Sequence, residues 1–326
     1  MPIINHIDLR RLVERVFAAA GSAEEEAALV AGHLVEANLR GHDSHGIGLV
    51  ANYLRNLGQG KATVNEKGHV VSDSGSMIVY DGARGWGQIV AREATLLGIA
   101  KAKETGVAVV ALRNAHHIGR VGTYGEMCAA AGLVSISFVN ITDQRPAVAP
   151  WRGRDARFGT NPVTVAIPGA TPDRPIIADM ATSRIAMGKV RVARNKGEQI
   201  APDTLLDSDG QPTGDPGVMY RRPRGALITF AEHKGYALAF ICEILAGAVT
   251  GSGTMRPERQ DEESVTNGML LVVIDPARLA EPGWINEEIK AMTDYVTASP
   301  PRHPGEPVLI PGDPERLMRD KRLAEG

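Results

Sequence analysis

The sequence predicts an α+β fold of the mixed α/β type, built in two parts. The first forty residues carry apolar side chains at helical spacing, most clearly at Val30, Leu34 and Ala37. From Met77 onward, short β-branched apolar runs alternate with helical patterns instead. Helices first, followed by a mixed strand–helix region, are typical of this fold class. The chain has 326 residues, which is long enough for two domains.

Composition and charge exclude several classes of protein. The hydrophobic fraction of 43% and charged fraction of 23% are ordinary for a globular enzyme. The formal net charge is −2 without a block of Lys and Arg, so we expect no nucleic-acid or membrane partner. No apolar run approaches the roughly 18 residues of a membrane span, and the N-terminus lacks signal-peptide features. Cys128 and Cys242 lie in apolar helical patterns, which favours buried thiols in a cytoplasmic protein over a disulfide.

The N-terminal region predicts two helices and the start of a third. Ser22 and Glu25 match a capping box, which places the start of the second helix, and Gly41 predicts its end. Asp43 or Ser44 can cap the amphipathic segment that follows. Capping explains one of these two polar residues and leaves the flanking histidines unexplained.

The rest of the chain divides into strands and helices by periodicity. Strand candidates are residues 77–80, 107–112, 133–139, 163–167, 226–230 and 269–274. Helices are predicted from Val90 to about Gly106, over 126–131, 235–249 and 285–296. The 235–249 helix is apolar nearly all round, so we expect it to be buried or at a subunit interface. Residues 202–224 are rich in Pro, Gly and Asp and predict irregular structure.

Two adjacent histidines lie where a strand gives way to a helix. His116 and His117 follow the run 107–112, and Gly119 and Gly122 let the backbone approach a ligand closely. Imidazole can give and take a proton near neutral pH because its ordinary pKa is about 6.5. The pattern favours proton transfer by one of the two, and turn histidines bonded to nearby carbonyls are the alternative.

One segment of the sequence formally matches a nucleotide-binding fingerprint. Gly46-Ile-Gly48-Leu-Val-Ala51 fits G-x-G-x-x-G/A, but it follows a helix and a polar turn rather than a strand. We therefore reject a Rossmann signature, and any dinucleotide must be held by another kind of fold.

The histidines could instead ligate a metal. His42, His45, His116 and His117 form the candidate cluster, although neither an H-E-x-x-H sequence nor a Cys/His ligand set is present. A metal-dependent hydrolase or lyase is therefore the alternative function.

Three further segments carry polar side chains at a helix start, after an apolar run or in a turn, where they could bind a ligand. His233 and Lys234 precede an apolar helix, whose N-terminus favours phosphate. Asp179 with Thr182 and Ser183 follows an apolar run, and Asn161 supplies a side-chain amide in a turn.

Taken together, these motifs resemble the non-Rossmann malate/L-lactate dehydrogenase family. The matching segments, in family order over nearly the whole chain, are residues 41–46, 114–124, 159–162, 179–183, 188–189 and 233–236. The family includes sulfolactate and ureidoglycolate dehydrogenases. The chain looks closest to members of the 2-hydroxycarboxylate dehydrogenase and hydroxyphenylpyruvate reductase type.

The resemblance implies a homodimeric oxidoreductase that uses NAD or NADP and needs no metal. It would interconvert 2-oxo acids and 2-hydroxy acids by hydride transfer. We expect a helical domain of residues 1–74 plus 284–326, and a non-Rossmann NAD(P)-binding mixed-sheet domain of residues 75–283.

The resemblance also assigns roles to individual residues. Family members use as acid/base the histidine that lies five residues before the glycine of a G-[YT]-Y motif. Here that motif is Gly122-Thr-Tyr124, and counting back from Gly122 gives His117. His45 and Ser44 would lie in the same active site, with Lys189 adding positive charge near the oxyanion. Leu49, Tyr53 and Asn161 would contact substrate. The expected cofactor-binding residues are His45, Gly119, Arg120, Val121, Asp179, Met180, Ala181, Thr182, Ser183, His233, Asn267, Asp313, Pro314, Glu315 and Arg316.

Two features depart from the family pattern. Many members place an arginine four residues after His45, where it can bind a substrate carboxylate, whereas this chain has Leu49. We therefore expect other donors to hold the carboxylate, in a more apolar pocket. The chain also ends at Gly326, where relatives go on into another helix, and we interpret this as a shortened C-terminus.

Overall fold

A seven-stranded mixed sheet forms the centre of the protein. The computed structural model describes residues 3–261 and 264–326. In these ranges the sheet has the order β1-β2-β3-β10-β4-β5-β6, and β8-β7-β9 form a small second sheet. The strands are β1 (His69–Ser74), β2 (Met77–Asp81), β3 (Val107–Ala115), β4 (Val134–Thr142), β5 (Val163–Ile167), β6 (Ile176–Met180), β7 (Leu205–Leu206), β8 (Pro212–Thr213), β9 (Ala226–Leu227) and β10 (Thr266–Ile274).

Helices cover the sheet and form a separate layer at the N-terminus. They are α1 (His6–Ala19), α2 (Glu24–Leu39), α3 (Val50–Gly58), α4 (Gly87–Thr105), α5 (Gly122–Ala130), α6 (Met187–Lys196), α7 (His233–Glu243), α8 (Pro282–Thr297) and α9 (Asp313–Glu325). Residues Ile244–Val249 extend α7 as π-helical turns. Within the described ranges, none of these helices combines the length and the apolar character needed to cross a membrane.

The sheet has one parallel pair among its described strands. β2 and β3 run parallel and are joined through α4, while the other neighbouring strands pair antiparallel. Central strand β10 is nearly all buried because its Leu271 and Val273 face the apolar side of α4. A mixed sheet with helices confirms the predicted fold class.

A second core joins the N-terminal helices to the sheet. Phe17 of α1 and Leu34 of α2 are fully buried together with Tyr53 and with Trp86, which precedes α4. Helix α9 packs on the same layer through an ion pair of 2.7 Å between Arg319 and Glu36. The division into two domains stays a prediction, but the sheet begins at His69 and not at residue 75.

Two predicted helix caps are wrong. Helix α2 begins at Glu24 without a side-chain cap, because the Ser22 hydroxyl accepts a hydrogen bond of 3.0 Å from the buried Trp86 indole. Asp43 and Ser44 lie in a 3₁₀ turn before α3, which begins only at Val50. Ser22 and Asp43 thus make tertiary contacts instead of caps, since Arg322 donates to Asp43 Oδ1 at 2.7 Å.

Most strand predictions are confirmed, with β5 matching residue for residue. Four segments differ. The predicted strand 226–230 shortens to β9, and the region 202–224, predicted as irregular, contributes β7 and β8 to the small sheet. The two edge strands β1 and β6 are not among the predicted strands. Strand β1 is exposed along its whole length and has no apolar alternation.

Candidate active site

A cavity of about 1100 Å³ lies where the N-terminal helical layer, the end of β3 and helix α6 meet. Its lining includes residues of four predicted motifs: Ser44 and His45, His117, Asp179, and Lys189. The structure therefore brings together side chains that lie far apart in the sequence.

The loop after β3 is held by close backbone packing. A Cβ on Gly87 would lie 2.2 Å from the carbonyl oxygen of His116, so the start of α4 can approach the loop only as glycine. The Ile118 N–H donates to Asn267 Oδ1 at 2.9 Å, and Gly119 adopts φ +73°. Asn267 thus positions the loop from β10.

His117 is anchored by a tyrosine from the helical layer. Its Nδ1 lies 2.6 Å from the Tyr53 hydroxyl oxygen, which also accepts a hydrogen bond of 2.8 Å from Gln88 Nε2. The Tyr53 hydroxyl can donate to the His117 carbonyl oxygen at 3.4 Å. The arrangement therefore suits a protonated Nδ1 and leaves Nε2 for chemistry. Burial, with His45 nearby, holds the pKa of His117 well below its ordinary value.

His45 and Ser44 lie beside His117. The rings of His45 and His117 stack with centroids 5.6 Å apart and planes 7° from parallel. Ser44 Oγ is 3.0 Å from His45 Nδ1. Burial lowers the pKa of His45 to about 4, so both imidazoles are neutral at pH 7. Gly188 lets α6 approach, because a Cβ there would lie 2.3 Å from Ser44 Cβ.

His116 is not in the cavity. Its ring packs edge-on against Tyr53 and Trp86, at centroid distances of 4.8 and 5.3 Å. Neither ring nitrogen has a hydrogen-bond partner in the described part of the chain, and burial lowers the pKa to about 3. Of the two adjacent histidines, only His117 lines the cavity.

A buried ion cluster forms another wall. The Arg120 guanidinium bonds to Glu126 at 3.0 Å and lies 3.7 Å from Asp179. Asp179 also accepts from Gly122 N and from the Thr164 hydroxyl. These partners fix the backbone at the start of α5 beside His117.

The remaining predicted residues divide between the cavity and its surroundings. Cavity-lining residues are Leu49, Tyr53, Arg120, Val121, Met180, Ala181, Ser183, Pro314 and Glu315. The predicted residues outside the lining are Gly119, Asn161, Thr182, His233, Asn267, Asp313 and Arg316.

The residues outside the lining have structural contacts instead. The buried Asn161 amide donates to Glu243 at 2.7 Å, and His233 lies beside Trp151. Asp313 is bound by Arg174 and Arg316, which lowers its pKa to about 2. In this chain none of these side chains reaches the cavity that holds His117.

Sequence reasoning missed two side chains that support the site. Gln88 of α4 donates to the Tyr53 hydroxyl oxygen. His33 of α2 is fully buried and its Nε2 accepts from the Arg120 N–H at 2.9 Å. Both are polar residues on otherwise apolar helix faces, which is the signal that could have found them.

The proposed metal cluster does not assemble. Within residues 3–261 and 264–326, no three His, Cys, Asp or Glu side chains come together as metal ligands. His42 Nε2 lies 3.5 Å from Glu315 Oε1, and the centroid of its ring is 6.4 Å from that of His45. The metal-dependent alternative is therefore unsupported.

Comparison with known proteins agrees with this geometry. The family model for malate/L-lactate dehydrogenase matches residues 4–326. Hydroxycarboxylate dehydrogenase B of Escherichia coli K12 is 46% identical over 98% of this chain and 88% of its own length. L-lactate dehydrogenase of Cupriavidus necator is 37% identical over 95% and 89%. A solved dehydrogenase structure from Sinorhizobium meliloti superposes with a TM-score of 0.89 at 33% identity, covering 100% of this chain and 94% of that one. The chain belongs to the malate/L-lactate dehydrogenase family and is an oxidoreductase of the hydroxy-acid dehydrogenase class.

Proposed function

We propose that the protein interconverts 2-oxo acids and 2-hydroxy acids with NAD(P)H or NAD(P)⁺ and uses His117 as the acid/base. The observation that carries the proposal is a neutral, cavity-lining imidazole whose Nδ1 is held by Tyr53 while Nε2 stays available. Family membership supplies the reaction class.

The cavity fits a dinucleotide and a small acid together in size and charge. About 1100 Å³ exceeds what a small acid alone needs. Among the described residues, eight Lys or Arg and four Asp or Glu line it, which favours anionic ligands such as phosphates and carboxylates. The predicted cofactor residues that line the cavity would hold NAD(P); they are His45, Arg120, Val121, Asp179, Met180, Ala181, Ser183, Pro314 and Glu315. When bound, it supplies the hydride for the carbonyl carbon.

His117 would move the proton. In reduction, the protonated Nε2 gives its proton to the oxygen of the former carbonyl. In oxidation, the neutral Nε2 removes the hydroxyl proton. Because the free imidazole is neutral at pH 7, reduction requires proton uptake as the anionic substrate binds, and the substrate's negative charge favours it.

The neighbours of His117 would orient the carbonyl. The Ser44 hydroxyl and His45 ring can donate hydrogen bonds to a substrate oxygen. Lys189, exposed at the first turn of α6, adds positive charge where the oxyanion forms. Leu49 gives this pocket an apolar wall, so we expect bulky or aryl 2-oxo acids to be good substrates.

We also propose a homodimer. Phe240, Ile241 and Val249 expose an apolar face on the α7 segment that was expected to be buried or at an interface. Helix α8 has no buried residue, and its Trp284 and Tyr295 are mostly exposed. A helix without tertiary burial is marginal in water, so a second copy covering these faces is the simplest arrangement. The free buried thiols of Cys128 and Cys242 suit the cytoplasm, where we expect the protein to act.

The test is a panel of 2-oxo acids assayed at 340 nm with NADH and with NADPH. We expect oxidation of at least one reduced cofactor with pyruvate, phenylpyruvate or 2-oxoglutarate, and equal rates after chelator treatment. Purified dimeric protein that oxidises neither cofactor with any of the three would contradict the proposal.

A further inference from the structure

Arg191 of α6 lies beside Leu49, the residue at which the sequence departs from the pattern that the family resemblance predicts. It lines the cavity and is half-buried. A Cβ built on Gly48 would lie 2.9 Å from Arg191 Nη2, so the guanidinium rests directly against the turn Ile47–Leu49. Leu49, where the family resemblance predicts an arginine, is the next residue along this turn.

The Arg191 guanidinium is also available. In the described ranges neither a hydrogen bond nor an ion pair engages it. By contrast, other arginines that line the cavity form ion pairs. The pairs are Arg40 with Glu36, Arg120 with Glu126, and Arg184 with Asp203. A half-buried guanidinium without a counterion on the wall of a cavity is suited to bind an anionic ligand.

We propose that Arg191 binds the C1 carboxylate of the 2-oxo acid and is a specificity-determining residue. This inference rests on the proposed function. A guanidinium presents paired N–H donors that match the two oxygens of a carboxylate. Helix α6 would thus deliver, right beside Leu49, the charged group that Leu49 lacks. Gly48, which has no side chain, leaves room for the guanidinium to lie this close to the turn.

The test compares Arg191→Ala with the wild type on pyruvate, phenylpyruvate and 2-oxoglutarate. All three share the C1 carboxylate, so we expect kcat/KM to fall by a similar factor of roughly 10 to 10² on each, mainly through KM. Arg191→Lys should keep part of the lost efficiency. Lys196→Ala removes a cation from the exposed end of the same helix and should change kcat/KM by less than about twofold.

A rescue experiment makes the assignment specific. Adding Leu49→Arg to Arg191→Ala restores a guanidinium from the adjacent turn Ile47–Leu49, and we expect at least about half of the loss, on a logarithmic scale, to be recovered. Calorimetric binding of oxamate, a pyruvate analogue with the same carboxylate, should weaken in Arg191→Ala and recover with kcat/KM. If Arg191→Ala does not fold, Arg191→Gln is measured in the same way.

Two results would overturn the assignment. One is a change below about twofold on all three substrates in a folded variant that still binds NAD(P)H. The other is a loss confined to 2-oxoglutarate, which would place Arg191 at the distal carboxylate. Either result leaves the proposed function standing, because wild-type reduction of 2-oxo acids tests that separately.

Discussion

Replacing Tyr53 by phenylalanine removes one oxygen that two catalytic-site groups share. The ring, which is 2% exposed, keeps its stacking on Trp86 and its edge contact with His116. What is lost is the acceptor 2.8 Å from Gln88 Nε2 and 2.6 Å from His117 Nδ1. The substitution therefore separates hydrogen bonding from packing.

The expected magnitudes follow from burial. Leaving the buried Gln88 amide without its acceptor costs about 1–3 kcal/mol of unfolding free energy. Freeing Nδ1 lets the His117 ring rotate and change tautomer, and it removes a hydrogen bond that favours the protonated ring. A loss of about 1.5–3 kcal/mol in the transition state corresponds to a kcat for reduction lower by roughly 10- to 10²-fold.

The assay measures kcat for reduction at saturating NAD(P)H, cofactor affinity by fluorescence, and the melting temperature. Tyr80→Phe is the matched control, because Tyr80 is equally buried and its hydroxyl donates to the Lys67 carbonyl away from the cavity. Both variants should lose stability, but only Tyr53→Phe should lose turnover. If Tyr53→Phe melts like Tyr80→Phe and keeps kcat within about twofold, the positioning role is refuted.

Three further predictions concern pH, substrate and assembly. Burial holds the pKa of His117 below its ordinary value, so kcat/KM for reduction should rise as pH falls from 8 to 6, whereas kcat/KM for hydroxy-acid oxidation should stay flat. A reduction profile that is flat over this range would argue against His117 as the proton donor. Leu49→Arg replaces an apolar wall by a cation, so the ratio of kcat/KM for oxaloacetate to kcat/KM for phenylpyruvate should rise several-fold. An unchanged ratio would show that this position does not contact the substrate side chain. Light scattering should give the mass of a dimer, and Phe240→Glu should shift it toward the monomer; a monomeric wild type at micromolar concentration would contradict the interface.

Local patterns were enough for the central strands of the sheet and for the position of the site, but not for the edge strands β1 and β6. The β-branched run before His116 and His117 identifies β3, and the glycines after it mark the close backbone approach that Gly87 completes from α4. Choosing between the two histidines required the family register, since adjacent residues share the same local pattern. Their difference is tertiary: one ring faces the cavity and the other packs on Trp86.

The contacts that the sequence does not reveal join different elements. Gln88 and Tyr53 come from different helices, and their shared oxygen cannot be read from either segment alone. Arg191 lies in a helix of mixed polar composition, and only its position against Gly48 identifies it as a candidate site residue. The predicted Ser22 cap is wrong for the same reason, because the Ser22 hydroxyl accepts a hydrogen bond from the indole of Trp86, which is distant in the sequence.

The central claim, that His117 carries the proton, is tested most directly by substituting each of the adjacent histidines in turn. His117→Ala should lower kcat for 2-oxo acid reduction by about 10²–10⁴-fold while NAD(P)H affinity stays within a few-fold. His116→Phe, which keeps an aromatic ring where neither nitrogen has a partner among the described residues, should retain most of the turnover. A crippled His116→Phe enzyme beside a nearly normal His117→Ala enzyme would contradict the account.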